Sequence, residues 1–489
     1  MFSFLLSVVA LILGYVLYGR FVSHVVRADS SRLTPAIVQN DGVDFIPMPT
    51  WKVFMIQFLN IAGTGPIFGA IMGAKFGPAS YLWIVFGCIF AGAVHDYLSG
   101  MAMLRQGGVS YNEMIGNIFG EKARVLVSIL VTALLLLVGA VFVYSPAIIL
   151  GALASVFENP TSSMMFWVVV IFFYYLVASL LPIDKIIGRI YPFFALCILF
   201  MAVGLLVSLL IHWPAIPELW EGLGNRLPSL GVSGQDLFPC LFVTVACGAI
   251  SGFHATQSPL MARCLKDEKY GRPVFYGSMI TEGLVALIWA AVSSWFFFDG
   301  GMAETGALNA QAPTVVQAVA KHWLGVVGGI LAIIGVVAAP ITTGDTALRS
   351  ARLMIADFFH YDQRPIKNRL VITIPVFAAT IALLWFNMSD AQGFNNIWRY
   401  FGWLNQTLAC FTLWALTQWL YVRSEKPYFL ITLLPALFMS AVCVSFILVD
   451  KMGFGVPSAV IPYIASATAA LAAVLFFVLN RKTRRDGVL

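Results

Sequence analysis

Long apolar runs fill this chain from end to end, and two of them are interrupted at their middles by glycine. These are Ile61-Ala62-Gly63-Thr64-Gly65-Pro66 and Gly248-Ala249-Ile250-Ser251-Gly252-Phe253-His254. A helix broken at membrane depth leaves N–H and C=O groups without intrahelical partners, and hydrocarbon supplies none. Such breaks survive only where they face protein, substrate, ion or trapped water, so the pair points to one polar cavity inside a bundle of membrane helices. The composition agrees. With 11% charged residues and a mean hydropathy of +0.88, the 489 residues fall far short of the charge of soluble domains, about 25%.

A hydrocarbon layer of about 30 Å needs about 20 residues of helix. Thirteen spans are expected, near 2–18, 51–74, 79–103, 124–150, 164–182, 190–212, 237–260, 273–298, 324–345, 368–387, 396–421, 427–448 and 457–479. Cytoplasmic loops should hold the Lys and Arg residues. With residue 1 outside, the inner loops collect 24 of the 29, among them Lys185, Arg189, Arg349, Arg352, Arg364 and the tail residues Arg481, Lys482, Arg484 and Arg485. Only Lys75, Arg226, Lys321, Arg399 and Lys451 fall outside. The net charge of +6 therefore expresses loop placement and not a nucleic-acid surface. The first run lacks the basic start and cleavage site of a secretory signal and is read as a retained helix. Seven scattered cysteines, without a Cys-x-x-Cys pair, read as core thiols, with neither a disulfide framework nor a metal site.

Setting the first span aside as peripheral makes the two broken segments helices one and six of a core. An odd offset sends them through the membrane in opposite directions, as an inverted repeat of five plus five helices does. The expected organisation is all-α: a peripheral helix and cytoplasmic loop over 1–50, repeats over 51–212 and 213–421, and two accessory helices with a basic tail over 422–489.

Several stretches carry a family likeness. They are Arg32-Leu33-Thr34-Pro35-Ala36, Asn40-Asp41-Gly42-Val43-Asp44-Phe45-Ile46-Pro47, the first glycine break, Gly92-Ala93-Val94-His95-Asp96, the run from Ala246 to His254, and Thr343-Gly344-Asp345-Thr346 with Arg349 and Arg352. Together they resemble the carbon starvation protein A (CstA) family. The resemblance implies a secondary transporter of the amino acid/polyamine/cation superfamily, with a LeuT-like fold, in the bacterial inner membrane. It also implies uptake of peptides or pyruvate during nutrient limitation. Larger family members carry further helices after the core. The family's His-Phe pair before the first break is Gln57-Phe58 here, and a following proline is Ala70, so any proton role of that histidine does not carry over.

The residues themselves suggest chemistry. Gly63, Thr64 and Gly65 would let a ligand approach the backbone, and Pro66 suits the first turn of a new helix whose free N–H groups form an anion site. Alternatively these glycines only allow close helix packing. At the second break Ser251 could cap the half-helix that begins at Gly252, with His254 either binding substrate or titrating, or else bonding a neighbouring carbonyl. The substrate carboxylate is expected to meet the half-helix ends near Gly65 and near Ser251 and Gly252. The LeuT resemblance implies a cation held by hydroxyls of Thr342 and Thr343 with the carbonyl of Ala62, though either hydroxyl could bond its own helix. Asp345 could pair with Arg349 four residues on. Asp96 and Glu282, acids at membrane depth, are candidate proton carriers; Asp96 could instead bind backbone amides. Trp398, Arg399, Tyr400, Trp403, Asn405 and Gln406 could close the outer path or form an interfacial belt.

No zinc-protease pair, nucleophile elbow or phosphate loop is present, so the chain is expected to be no enzyme and no ATP-driven pump. The expectation is a symporter for a small carboxylate-bearing nutrient, coupled to a proton or a sodium ion, without a resident cofactor or nucleic-acid partner. A channel and a non-transporting nutrient sensor of the same fold are the alternatives.

Overall fold

The computed structural model describes residues 1–42, 45–180, 187–301, 310–359, 361, 365–389, 393–424, 426–451 and 453–480. Val43, Asp44, Lys185, Arg364 and the tail residues Arg481, Lys482, Arg484 and Arg485 lie outside them. Every long element among the described residues is a helix. In chain order these are α1 (Phe2–Val26), α2 (Thr50–Ile61), α3 (Gly65–Ala74), α4 (Ala79–Arg105) and α5 (Glu121–Leu153). Next come α6 (Pro160–Leu180), α7 (Ile187–His212), α8 (Leu237–Thr244), α9 (Gly252–Ala262) and α10 (Gly277–Phe298). Last are α11 (Ala312–Phe358), α12 (Ile366–Ser389), α13 (Gly393–Arg423), α14 (Leu430–Val449) and α15 (Ile461–Leu479).

Among the described residues nine helices are long and apolar enough to cross a membrane, or ten if α2 and α3 count as one bent span. Two lengths differ from the sequence reading. α1 continues to Val26, carried past residue 18 by a π-turn at Gly14–Tyr18. α11 runs for 47 residues instead of the expected 22-residue core, and its backbone kinks at Gly325, where φ is +61°. Arg349 and Arg352, assigned to a loop from charge alone, are buried within that helix. Alanine-rich sequence propagates helix beyond the apolar window, which hydropathy does not register.

The broken segments lie at the centre. α2 packs on α9 while α3 packs on α8, so the two segments run side by side and antiparallel. α10 backs both halves of the first segment, α4 backs α9, and α13 closes over α8 and α9. α1 lies outside α4 and α10 with Phe2, Leu6, Leu13 and Leu17 turned outward.

The core also repairs its prolines. Pro146 inside α5 cannot donate to the carbonyl of Phe142, four residues back. The Tyr175 hydroxyl of α6 lies 2.9 Å from that oxygen and 3.0 Å from the Pro340 carbonyl of α11. A β-carbon at Gly344 would overlap the same hydroxyl, so the glycine in Thr343-Gly344-Asp345 makes room for this brace between three helices.

Candidate functional site

The first break is short. α2 ends with the Ala62 N–H on the Phe58 carbonyl at 2.8 Å, and α3 begins with the Phe68 N–H on the Thr64 carbonyl, also at 2.8 Å. Pro66 sits in the first turn of α3, and the two halves bend by 47°. A β-carbon at Gly65 would overlap Cβ and Sγ of Cys247, so at this position the glycine lets the second break approach. Gly63 instead faces the Thr343 hydroxyl and the Phe142 ring, each 3.2 Å from where its β-carbon would lie.

Around this break, buried polar atoms lack partners: both amide atoms of Gln57, Oδ1 of Asn60, and the hydroxyls of Thr64 and Thr343. A buried polar atom left without a hydrogen bond costs about 1–3 kcal/mol. Several of them on one stretch mark a place that water, an ion or a polar cargo would satisfy.

The second break runs from Val245 to Ser251 and passes through Gly248, whose φ of +91° favours glycine. Gly248 packs against Ala286 of α10 and Pro66 of α3. Here the structure corrects the sequence reading in two respects. Ser251 occupies the N-cap position but makes no capping bond. The cap comes from α13, where Oδ1 of Asn405 accepts the Phe253 N–H at 2.8 Å and the same amide group bonds the Ser251 hydroxyl. Gly252 is pressed against Asn405, Leu408 and Ala409 of α13 and is a packing glycine. Asn405→Ala should lower unfolding stability in detergent by about 1–2 kcal/mol, the usual worth of an N-cap, whereas Asn405→Asp should retain the cap. Equal stability of the Ala variant and the parent would refute this role.

Four ionisable side chains form a line across three helices. His95 Nδ1 lies 2.7 Å from Oδ1 of Asp96, and Oδ2 of Asp96 lies 2.9 Å from His254 Nδ1. On the far side of that imidazole, His254 Nε2 is 3.4 Å from Oε2 of Glu282. All four are 0% exposed. The side-chain partners of Asp96 are thus imidazoles, not the backbone amides that were the alternative. Asp96 bridges the two imidazoles, and the other ring nitrogen of His254 faces Glu282. Cys247, His254 and Glu282 also offer one donor atom each within 4.8 Å of one another, a thiol, imidazole and carboxylate set that suits a cation of the zinc kind.

The hydroxyl pair on α11 divides. Thr342 bonds its own helix at the Ala339 carbonyl, 2.9 Å away, while Thr343 faces the break. Ala62 ends α2 and directly precedes Gly63. Asp345 pairs with Arg349 at 3.6 Å, as the spacing suggested.

On the side holding the end of α3 and the start of α13, a cavity of about 350 Å³ is lined by Lys75, Ser233, Gln235, Asn396, Trp398 and Arg399 among others. Trp398 packs on Phe68 of α3, and Gln406 donates to the Phe242 carbonyl of α8 at 2.8 Å. Burial pushes the Lys75 ammonium down to about 8. Its Nζ donates to the Ala310 carbonyl at 3.0 Å.

Sequence reasoning missed the contact of Cys247 with Gly65, the capping role of Asn405, and His95 as part of the ionisable line. Only His95 carried a local signal, by standing next to Asp96.

Residues 1–166, 144–326 and 301–445 match the profile of the family described as carbon starvation protein CstA. An uncharacterized membrane protein of Haemophilus influenzae is 43% identical over 61% of this chain and 91% of its own length. Proteins named peptide transporter CstA are similar at lower identity. That of Campylobacter jejuni is 27% identical over 87% of this chain and 77% of its own, and that of Escherichia coli 24% over 88% and 78%. A solved manganese transporter of Eremococcus coleocola superposes with a TM-score of 0.58 at 12% identity, covering 92% of this chain and 99% of that one. At that identity the likeness is one of fold, that of a multi-pass membrane transporter.

Proposed function

We propose that this chain, which belongs to the carbon starvation protein CstA family, is a proton-coupled secondary carrier importing a small carboxylate-bearing nutrient, a peptide or pyruvate. Relatives named peptide transporters support the peptide reading; pyruvate comes from the family resemblance alone. In this reading the chain crosses the inner membrane thirteen times around a five-plus-five core, with residue 1 outside and the C-terminus in the cytoplasm. The antiparallel contact of the two breaks supports that symmetry.

The observation that carries the proposal is the buried line His95–Asp96–His254–Glu282, placed where the broken helices cross. Ionisable groups at membrane depth are costly and mark proton or substrate paths. Asp96 orients His254 from one side, and Glu282 takes or returns the proton on the other. The cargo carboxylate belongs at the first break, where the amides at the start of α3, Nε2 of Gln57 and the hydroxyls of Thr64 and Thr343 can donate to it. The end of α9 near Ser251 is already capped by Asn405 and drops out of the cargo site. Labelled pyruvate and dipeptides should accumulate in proteoliposomes under an imposed proton gradient. Intact binding without accumulation under either a proton or a sodium gradient would defeat the reading.

A sodium-coupled version rests on one observation, the partnerless Thr343 hydroxyl facing Gly63. Oxygen ligands of this kind suit a hard cation. If sodium couples, Thr343→Ala abolishes any sodium stimulation of uptake while proton-driven uptake persists.

Lys75 adds a pH signature. In the outer cavity its ammonium attracts an arriving carboxylate below pH 8 and is neutral above, since its pKa stands at about 8. Substrate affinity of the purified protein should therefore fall as pH rises from 7 to 9. Lys75→Arg, charged throughout, should flatten that step; an unchanged step in the variant would assign it elsewhere.

A further inference from the structure

A second polar cavity, of about 480 Å³, opens at the opposite end of the molecule from Lys75 and has no part in the site above. Five basic residues from three chain segments line it: Arg27 and Arg32 after α1, Arg105 at the end of α4, and Arg423 and Lys426 at the end of α13. Few acids answer them. Among the described residues Glu268 accepts from Arg105 at 2.8 and 3.2 Å and stands 3.7 Å from Arg32, which also lies 4.0 Å from Asp29. Arg27, Arg423 and Lys426 form no ion pair with any described carboxylate, and Arg423 feels the like charge of both Arg105 and Arg32.

The aromatic contacts hold these cations in place. The Arg423 guanidinium lies 4.9 Å from the centre of the Trp419 ring, and the Lys426 ammonium 5.8 Å from that of Tyr428. Such stacking orients a guanidinium while leaving its N–H fork free to bind in its own plane. The apolar side chains of Val25, Val26 and Leu420, together with Ser424, form the rest of the wall. A basic pocket between membrane helices, apolar on one side and flanked by Trp and Tyr, has the make-up of an interfacial headgroup site.

We propose that this pocket binds a phosphate-class anion through Arg27, Arg423 and Lys426, with Arg105 and Arg32 held in position by Glu268. Phosphate oxygens match the guanidinium fork in a bidentate manner and would offset the crowding of positive charge. The same chemistry could come from a lipid phosphodiester or from a soluble phosphate. The site stands independently of the transport reading, because it needs neither a cargo nor a gradient.

The test uses the full-length protein in detergent. Retention of phosphatidylglycerol against phosphatidylcholine is read by native mass spectrometry, and inorganic phosphate is titrated separately by thermal shift. The expected result is selective retention of phosphatidylglycerol, weakened about tenfold or more in Arg423→Gln/Lys426→Gln, as fits the loss of two basic contacts to an anionic headgroup. A lipid response alone assigns the phosphodiester, and saturable stabilisation by phosphate assigns a soluble anion. Arg124→Gln, a basic change at the exposed start of α5, should bind as the parent does. Arg423→Lys, which keeps the charge and loses the fork, controls for folding and should fall between parent and double variant. Binding of neither probe, or equal binding by parent and double variant of matched elution profile, overturns the proposal.

Discussion

Glu282→Gln should abolish proton-driven accumulation and spare the exchange of cargo across the membrane. The substitution keeps the shape of the side chain and removes the one group in the buried line that faces His254 Nε2, at 3.4 Å. Asp96 is held by two imidazoles, whereas neither oxygen of Glu282 has a hydrogen-bond donor of good geometry. In the proposed mechanism this carboxyl is the group that takes up and returns the proton. The size of the effect follows from the gradient. One pH unit is worth roughly 1.4 kcal/mol per proton, so one-to-one coupling sustains about tenfold accumulation. With coupling removed, cargo should equilibrate to a ratio of about one. His254→Gln should give the same collapse. Counterflow of labelled cargo should remain in both variants, because it requires binding and reorientation but no net proton movement. Parent-like accumulation in Glu282→Gln would remove Glu282 from the coupling path.

The second large effect is steric. Gly65→Ala should eliminate transport, since its β-carbon would overlap both side-chain atoms of Cys247 and force the two breaks apart. Cys247→Gly in the same chain should restore most of it. With that side chain gone, the atom of Cys247 nearest the new β-carbon is Cα at 3.8 Å, an ordinary contact. Compensation of this kind is strongly non-additive, as expected for two residues that share one space. Uptake of the double variant should exceed that of Gly65→Ala by about tenfold or more, with expression and elution profile compared alongside. If Cys247→Gly brings no recovery, the thiol or the glycine has a role beyond fit.

The helical bundle and its two irregular centres were legible in the sequence because lipid forces each spanning residue to declare itself. Apolar runs mark the spans, and glycine and proline mark the breaks at Gly63–Pro66 and Gly248–Gly252. The start expected for the ninth span, residue 324, lies beside the Gly325 kink of α11. The helix around that window was underestimated, since helix propensity continues where hydropathy stops. Asp96, His254 and Glu282 each stood out as polar groups in apolar surroundings. Their alignment did not, for Asp96 and His254 are 158 positions apart, and no periodicity states which helix faces which. Asn405 shows the same limit. It replaced Ser251 as the cap because a side chain from α13 reached the Phe253 amide, and local spacing favours only the residue at the helix start. Gly252 looked like Gly63 in sequence and packs against a helix backbone instead.

The antiparallel pairing of the breaks has a mechanical meaning. α2 packs on α9 and α3 on α8, and the point where the pairs touch is the contact of Gly65 with Cys247 and of Gly248 with Pro66. Two levers crossed at one pivot can open at either end without parting at the fulcrum. A carrier built this way would keep its tightest contact stationary while its two mouths take turns, so bulk added at the pivot jams both mouths and bulk added at one end jams only one.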